Sequence, residues 1–288
     1  MAGVGLVRLL FSSDDRPGIV ARVSGFLFAH GANIVDLQQH STDPEGGQFF
    51  MRVVFDARHL DLDARALKAR FAEEVATPLG GRFRFAWAAR KKPAAILVSR
   101  ADHALLELLW RWRRGALPMD LKLVIGNHAE LKGAVEAFGL PFYHVPVERG
   151  KKAEAELQML DLLGEAGVEL VILARYMQIL SPAFVDRYPN RIINIHHSFL
   201  PAFAGARPYH QAYARGVKLI GATAHYVTAE LDAGPIIAQD VVRVSHRDGV
   251  RDLMEKGRDL EKRVLAEAVA AHLEDRVLVY ENKTIVFD

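Results

Sequence analysis

Hydrophobic residues in the first ninety positions form strand-like runs that alternate with helical repeats. Apolar residues recur at helical spacing from Ile19 to Leu27, and His30-Gly31 provides a helix-ending signal. A second helical repeat spans residues 60–75, and strand patterns occupy residues 6–11, 33–40, 48–56 and 82–88. The resulting order, βαββαβ, predicts a ferredoxin-like α/β domain over residues 1–88.

After a basic linker at residues 89–93, the pattern changes to apolar strands separated by amphipathic helices. Strands are predicted at residues 94–99, 121–126, 142–147, 169–174, 218–227 and 235–244, and helices at residues 104–114, 131–138, 153–164 and 251–273. A terminal hairpin is predicted at residues 277–286, and the Pro- and Gly-rich segment 201–210 is predicted to be a loop. This alternation predicts a second domain, residues 94–288, with a mainly parallel, doubly wound, Rossmann-like sheet.

Composition is that of an ordinary globular protein. Half of the 288 residues are hydrophobic, a quarter are charged, and the net charge of +2 gives no argument for a nucleic-acid partner. The absence of cysteine excludes disulfides, a catalytic thiol and thiolate metal ligands. The N-terminus becomes acidic too early for a secretory signal, and no uncharged run approaches about 20 residues. A cytoplasmic protein without a membrane partner is therefore predicted.

The loop after the first strand of the second domain lacks the glycines of a nucleotide site. Its sequence, SRADH at Ser99 to His103, is neither a dinucleotide fingerprint nor a P-loop. No other Gly-rich phosphate loop follows a predicted strand. The sequence argues against a nucleotide-dependent enzyme, and we expect no cofactor.

Candidate chemistry is concentrated between residues 191 and 244. Asn194 and His196 are two residues apart, so on an extended chain their side chains project from one face. His225 lies within a predicted strand, and Asp232 lies in the polar turn ELDAG. An amide, an imidazole and a carboxylate suit attack of water or an amine on an acyl carbon, because they orient the nucleophile and stabilise an oxyanion.

Other interpretations of these side chains are open at this level. The potential imidazole metal ligands of the region are His196, His197, His210 and His225. No HEXXH-like spacing occurs, and adjacent histidines on a strand point to opposite faces, so we predict no metal. A histidine in an apolar strand is also compatible with a buried structural role, and an aspartate in ELDAG with turn formation.

The segment DRPGIVARVSGFLFAHGANIVDLQQH, residues 15–40, resembles the opening of an ACT domain. ACT domains are small ligand-sensing modules attached to metabolic enzymes, and the resemblance covers about residues 4–88. It implies a homo-oligomer, a dimer or tetramer, and raises the hypothesis of an amino-acid effector such as glycine or methionine. In the alternative interpretation, Gly18 and Gly31 serve only backbone geometry and Asp15 only caps the helix.

Three segments resemble the catalytic core of the folate-dependent formyl transferase family. They are NIHHSFLPAF from Asn194, the GARP that follows it, and GATAHYVTAELDAGPIIAQ from Gly221. This resemblance covers residue 94 to the C-terminus and implies a catalytic set of Asn194, His196, His225 and Asp232. The segment LARYMQILS resembles the pterin pocket of the family, which implies a folate site lined by Met177, Gln178, Ile179, Leu180, Thr228 and Ala229. Ordinary core packing is the alternative role for Met177, Ile179 and Leu180.

Several features distinguish the branches of this family. A ribonucleotide-specific member would need a glycine-serine-asparagine loop where this chain has SRADH, and a tRNA-specific member normally carries a further RNA-binding domain. An ACT domain followed by the doubled His196-His197 is similar to the branch that uses water as the acceptor. The resemblance therefore implies hydrolysis of 10-formyltetrahydrofolate, as substrate and not as cofactor, to tetrahydrofolate and formate for purine biosynthesis. His197 replaces a proline common in the transferases, and we expect it to tune the water site or to pack.

Two alternative functions are kept. Formyl transfer to a small amine would require an acceptor pocket. A folate or amino-acid sensor without turnover would have no need of the complete Asn-x-His and Asp set.

Overall fold

The structure is a computed structural model of the chain that describes residues 5–43, 45–202 and 208–288. The chain forms two compact units. The first comprises the described residues up to Lys91 together with Glu274–Leu278 and Ile285–Asp288, and the second comprises Lys92–Leu273 and Val279–Thr284. None of the helices in these ranges combines the length and the apolar character needed to cross a membrane.

The first unit follows the element order expected from its sequence. Its elements are β1 (Leu6–Asp14), α1 (Ile19–Ala29), β2 (Asn33–Ser41), β3 (Gln48–Asp56), α2 (Ala64–Phe71), a π-helical turn (Ala72–Ala76), α3 (Thr77–Leu79) and β4 (Arg82–Trp87). The strands form one antiparallel sheet in the order β2-β3-β1-β4. The ferredoxin-like prediction is confirmed.

The predicted helix at 60–75 differs in detail, because the α-helix changes to a π-helical turn after Phe71. Pro78 lacks an N–H and its ring would crowd the carbonyl four residues earlier in a regular helix. That carbonyl, of Glu74, instead accepts a hydrogen bond from Arg22 Nη1 at 3.3 Å. The wider turn therefore accommodates the proline without leaving the carbonyl unpaired.

The C-terminal segments complete the first unit. Asp275 is buried, and its carboxylate pairs with Arg8 at 3.3 Å and with Arg84 at 2.6 Å. The sequence pattern predicts a second domain over residues 94–288, whereas two segments near the C-terminus belong to the first compact unit. Part of this difference arises because the ion pairs of Asp275 leave no periodic pattern in the sequence.

The second unit contains the longer sheet and most of the helices. Its elements are β5 (Lys92–Val98), α4 (His103–Arg113), β6 (Met119–Gly126), α5 (Lys132–Glu136), β7 (Phe142–His144), α6 (Lys152–Glu165), β8 (Leu170–Ala174), α7 (Pro182–Val185), β9 (Ile192–His196), α8 (Pro208–Arg215), β10 (Leu219–Tyr226), β11 (Ile236–Arg243) and α9 (Val250–Leu273). A C-terminal hairpin, β12 (Val277–Tyr280) and β13 (Lys283–Val286), follows as predicted.

The seven strands of this sheet lie in the order β11-β10-β9-β8-β5-β6-β7. The five strands from β9 to β7 are parallel, whereas β10 is antiparallel to both β9 and β11. The prediction of a mainly parallel α/β sheet is confirmed. Strands β5 and β8 are almost wholly buried, in agreement with helices that cover both faces.

The loop prediction for residues 201–210 is wrong in its last part, because α8 begins at Pro208. Proline is compatible with the first helical position, where its missing N–H costs no hydrogen bond. Helix α7, which begins at Pro182, was also not predicted. The Gly205-Ala206-Arg207 part of the family motif lies outside the described residues.

Candidate active site

A cavity of about 500 Å³ lies beside the carboxyl ends of β8 and β9. This volume lies in the range typical of small-molecule sites, and the carboxyl ends of parallel strands are where open α/β sheets bind ligands. The structure brings all ten predicted site residues to its wall: Met177, Gln178, Ile179, Leu180, Asn194, His196, His225, Thr228, Ala229 and Asp232.

Strands β9 and β10 position three of the polar groups. Asn194 and His196 alternate with the buried Ile195, so both reach the cavity from one face of β9. His225 lies directly opposite Asn194 in the antiparallel pairing of β9 with β10. The Asn194 Nδ2 and His225 Nε2 atoms are 3.3 Å apart. The pairing register therefore fixes the amide against the imidazole.

A tight turn after β10 brings the carboxylate to these groups. Asp232 has a φ of 55°, a left-handed conformation that aspartate tolerates better than most residues. Two residues later Gly234 lies so close to the strand that an added Cβ would be 1.8 Å from the carbonyl oxygen of Tyr226. The glycine of ELDAG is thus required by close backbone approach, and the turn places Asp232 Oδ2 3.2 Å from His196 Nδ1.

The pairing with His196 defines the state of the carboxylate. The hydrogen bond from His196 lowers the pKa of Asp232 below its ordinary value, although partial burial opposes this change. The second ring nitrogen, His196 Nε2, is buried and has no hydrogen-bond partner in the described structure. Since His196 lines the cavity, Nε2 is the polar atom left to meet a ligand there.

His225 is held neutral. Burial lowers its pKa, and its Nδ1 donates to the carbonyl oxygen of Tyr226 at 2.9 Å. In this neutral tautomer Nε2 is an acceptor and receives the Asn194 amide N–H. Asp232 Oδ1 is 3.8 Å away, beyond hydrogen-bond distance. His225 therefore contacts Asn194 directly and makes no hydrogen bond with Asp232.

His197 also lines the cavity, although it follows β9 and the sequence left its role open. Its ring lies between His196 and Tyr209, at centroid distances of 5.2 and 5.8 Å. Burial, reinforced by the positive charge of Arg175, lowers the pKa of His197 to about 4. The side chain is therefore neutral near pH 7.

The segment after β8 forms an apolar wall. Met177 and Ile179 are 58% and 60% exposed, so packing in the core does not account for them. Leu180 is only 8% exposed and also belongs to the core of the second unit. The backbone is anchored where Ser99 Oγ accepts the Met177 N–H at 2.9 Å and donates to Asn127 at 2.7 Å.

The sequence missed a buried polar cluster beside the cavity. Glu261 of α9 accepts the Tyr209 hydroxyl at 2.6 Å, and its other oxygen lies 2.8 Å from His103 Nε2 and 3.4 Å from Arg175 Nε. Arg175 lines the cavity and has a φ of 60°. The sequence did contain one signal of this cluster: a glutamate lies beside Leu260 and Val264 on the apolar stripe of α9, where a charged residue is unexpected. Across the described ranges, no group of three or more histidine, aspartate or glutamate residues is arranged to hold a metal ion.

Comparison with known proteins gives two family matches. The formyl transferase model matches residues 92–269, and the ACT domain model matches residues 7–72. The formyltetrahydrofolate deformylase of Bacillus subtilis (strain 168) is 53% identical over 98% of this chain and 93% of its own length. That of Mycobacterium tuberculosis (strain ATCC 25618 / H37Rv) is 55% identical over 97% and 90%, respectively.

Solved structures show the same relationship. A formyltetrahydrofolate deformylase from Pseudomonas syringae pv. tomato is 49% identical, with a TM-score of 0.95 over 98% of this chain and 94% of its own. Glycinamide ribonucleotide transformylase 1 from Symbiobacterium toebii is 32% identical, with a TM-score of 0.66 over 71% of this chain and 97% of its own. The chain therefore belongs to the formyl transferase family and, within it, to the formyltetrahydrofolate deformylases that carry an ACT domain.

Proposed function

We propose that this chain hydrolyses 10-formyltetrahydrofolate to tetrahydrofolate and formate. The names of the relatives support the substrate and the reaction. The observation that carries the proposal is the Asp232–His196 pair, in which the carboxylate occupies one ring nitrogen and leaves the other without a partner at the cavity wall. A carboxylate next to an imidazole donor suits attack of water on an acyl carbon.

In the proposed mechanism, Asp232 orients a water molecule for attack on the formyl carbon. A carboxylate whose pKa is lowered is a weak base, so its main contributions are to position the water and to stabilise a positively charged His196. His196 Nε2 donates to the oxyanion that forms on the formyl oxygen. Asn194, whose amide is held by neutral His225, supplies a further N–H donor.

The atoms balance with water as the only co-reactant. The water oxygen bonds to the formyl carbon, and the tetrahedral intermediate collapses with cleavage of the bond from that carbon to N10. One proton of the water passes through Asp232 to N10, which gives tetrahydrofolate. The formic acid formed then loses its remaining acidic proton to become formate. The folate would lie against Met177 to Leu180 on one side and Thr228-Ala229 on the other.

The test is incubation of the pure protein with 10-formyltetrahydrofolate alone. We expect formate and tetrahydrofolate in equal amounts without an added amine, before and after dialysis against a chelator. Release that requires an amine would instead indicate transfer, the second candidate, to which the fold shared with the transformylase of S. toebii gives support. Tight folate binding without any release would indicate the sensor function.

The ACT domain supports a proposal about assembly and regulation. We expect the cytoplasmic protein to form a homo-oligomer, a dimer or tetramer, and its turnover to respond to glycine or methionine. Light scattering of the full chain measures the assembly, and initial rates with each amino acid measure the response. Equal rates at all concentrations of both amino acids would contradict the regulatory part.

A further inference from the structure

The cavity contains a positive charge that the proposed mechanism does not use. Among the described residues that line it, Arg175 is the only arginine or lysine. It follows β8 directly and has a left-handed backbone, a conformation that costs energy for a residue with a Cβ. Asp232, the other non-glycine residue of the cavity wall with a positive φ, belongs to the proposed machinery.

A buried carboxylate anchors this arginine. Glu261 is 1% exposed, and Arg175 Nε is buried 3.4 Å from its Oε2, too far for an ordinary hydrogen bond. Burial alone would raise the pKa of Glu261, but the hydrogen bond with His103 and the charge of Arg175 hold it below the ordinary value. The carboxylate is therefore ionised, and its negative charge compensates the positive charge of Arg175 from a position outside the cavity wall.

The anchor leaves part of the arginine available. The side chain of Arg175 retains 17% of its surface, although its Nε is buried. Glu261 divides its two oxygens among Tyr209, His103 and Arg175, so it does not form the two-pronged pair that would occupy the whole guanidinium. A planar guanidinium held in this way matches the geometry of a small carboxylate.

Charge develops in this cavity during the proposed reaction. The formyl group is neutral, whereas the product formate is an anion, and Asp232 is already negative. An anion formed beside a carboxylate needs a compensating cation in a partly buried site. We propose that Arg175 forms a formate subsite that binds the product anion, and that Glu261 is the positioning residue that holds it; this rests on the proposed hydrolysis.

Product inhibition tests the subsite. Initial rates are measured with added sodium formate, at constant ionic strength maintained with sodium chloride. Loss of one charge-assisted hydrogen-bonding partner is expected to raise the inhibition constant for formate about ten- to a hundred-fold in Arg175→Gln. Arg175→Lys, which keeps the charge but loses the planar guanidinium, should give an inhibition constant between those of wild type and Arg175→Gln. The control Arg191→Gln removes a cation of the same unit that is not among the cavity-lining residues and should behave as wild type.

The substitution Glu261→Gln tests whether Glu261 positions Arg175 or only stabilises the fold. It is expected to weaken formate inhibition several-fold while the KM for the folate stays within two-fold, because Glu261 is not among the residues that line the cavity. Tyr209→Phe, which removes one hydroxyl from Glu261, should act in the same direction, and Tyr188→Phe, an equally buried tyrosine outside the cluster, should not. A parallel loss of stability and of every kinetic constant would overturn the positioning role.

Direct binding distinguishes failure of this inference from failure of the proposed function. Titration with ¹³C-formate, followed by NMR line broadening, needs no turnover. Wild type that binds formate but releases none from 10-formyltetrahydrofolate would refute the hydrolysis alone. Hydrolysis with equal formate affinity in wild type and Arg175→Gln, or displacement of formate by equimolar chloride, would refute the subsite. Should Arg175→Gln not fold, Glu261→Gln gives the loss-of-binding comparison, with Tyr188→Phe as its control.

Discussion

At the scale of single residues, the chemistry depends on which ring nitrogens are already occupied. Asp232 takes Nδ1 of His196, and the Tyr226 carbonyl takes Nδ1 of His225. The first histidine therefore keeps a buried Nε2 without a hydrogen-bond partner in the described structure, whereas the second presents an acceptor to Asn194. Two histidines with similar burial thus have different functions because their neighbours differ.

The first residue-scale prediction concerns the carboxylate. Asp232→Asn keeps the size of the side chain and removes its charge, so water activation and the ion pair with His196 are lost. We expect kcat to fall by about 10²- to 10⁴-fold with little change in folate affinity. Asp240→Asn, the same change on β11 outside the cavity wall, is the matched control. A kcat for Asp232→Asn within ten-fold of wild type would refute the proposed role.

A second prediction follows from the neutral His197. Its pKa is about 4 in the folded protein and about 6.5 when unfolded, so below pH 6.5 only the unfolded chain takes up the proton. Stability is therefore full above pH 6.5 and is lost as the pH falls toward 4, by roughly 3 kcal/mol for this group.

Urea unfolding at several pH values between 7 and 4 measures this loss. His197→Gln should flatten the pH dependence relative to wild type, whereas His210→Gln, which alters an exposed histidine on α8, should leave it as it is. Parallel curves for wild type and His197→Gln would contradict the assignment.

At the scale of elements, the site depends on how β9, β10 and the turn after β10 meet. The register that sets His225 opposite Asn194 aligns two side chains, and the turn returns Asp232 to the same place. A shift of one residue in this pairing would turn both side chains to the other face of the sheet. The relative positions of these polar side chains are therefore fixed by the strand pairing and by the turn.

The turn can be tested at its glycine. In Gly234→Ala the added Cβ would meet the Tyr226 carbonyl oxygen at 1.8 Å, so the turn must move and Asp232 with it. We expect a loss of about 1–3 kcal/mol in unfolding free energy and a fall in kcat of at least ten-fold. Gly249→Ala, whose nearest neighbour would lie at 3.6 Å, should be close to wild type in both measurements. Unchanged kinetics in Gly234→Ala would show that the turn tolerates displacement.

At the scale of the whole molecule, the division into two compact units does not follow the order of the chain at the C-terminus. Residues that follow the second unit in sequence return to the first, where Asp275 pairs with Arg8 and Arg84. Removal of one partner of a buried ion pair is costly because the remaining charge is uncompensated. The C-terminus is therefore part of the stability of the ACT-containing unit.

Asp275→Asn tests this contribution. We expect the unfolding free energy of the first unit to fall by about 2 kcal/mol, less than for a fully buried pair because Arg84 is half-exposed. Glu74→Gln, which alters an exposed pair with Arg70 in the same unit, should cost less than about 1 kcal/mol. Urea unfolding of each variant, monitored by hydrogen exchange in the first unit, measures the two losses of stability separately. Equal, small effects would contradict the structural role of Asp275.

Sequence patterns predicted the elements well where burial is periodic. The strand predicted at residues 48–56 is β3 to the residue, and the predictions for β5, β6 and β8 agree with the structure within two residues. The short β7 ends three residues before its predicted end. Helix α8 was missed because Pro208 was interpreted as a loop residue. Hydrophobic periodicity identifies long helices and strands. A single sequence does not show whether a proline begins a helix or lies in a turn, because proline is common in both places.

The fold class, the family and the members of the polar set could be predicted from the chain alone, because they follow from local periodicity and an ordered motif. Which atoms meet depends on packing in three dimensions: His225 contacts Asn194 rather than Asp232, and Glu261 anchors Arg175. Glu261 and Arg175 lie on different elements far apart in the chain, and their distance is set by the packing of α9 near the end of β8. Side chains brought together by packing leave no periodic signal in the sequence, and for this reason the anchored arginine was visible only in three dimensions.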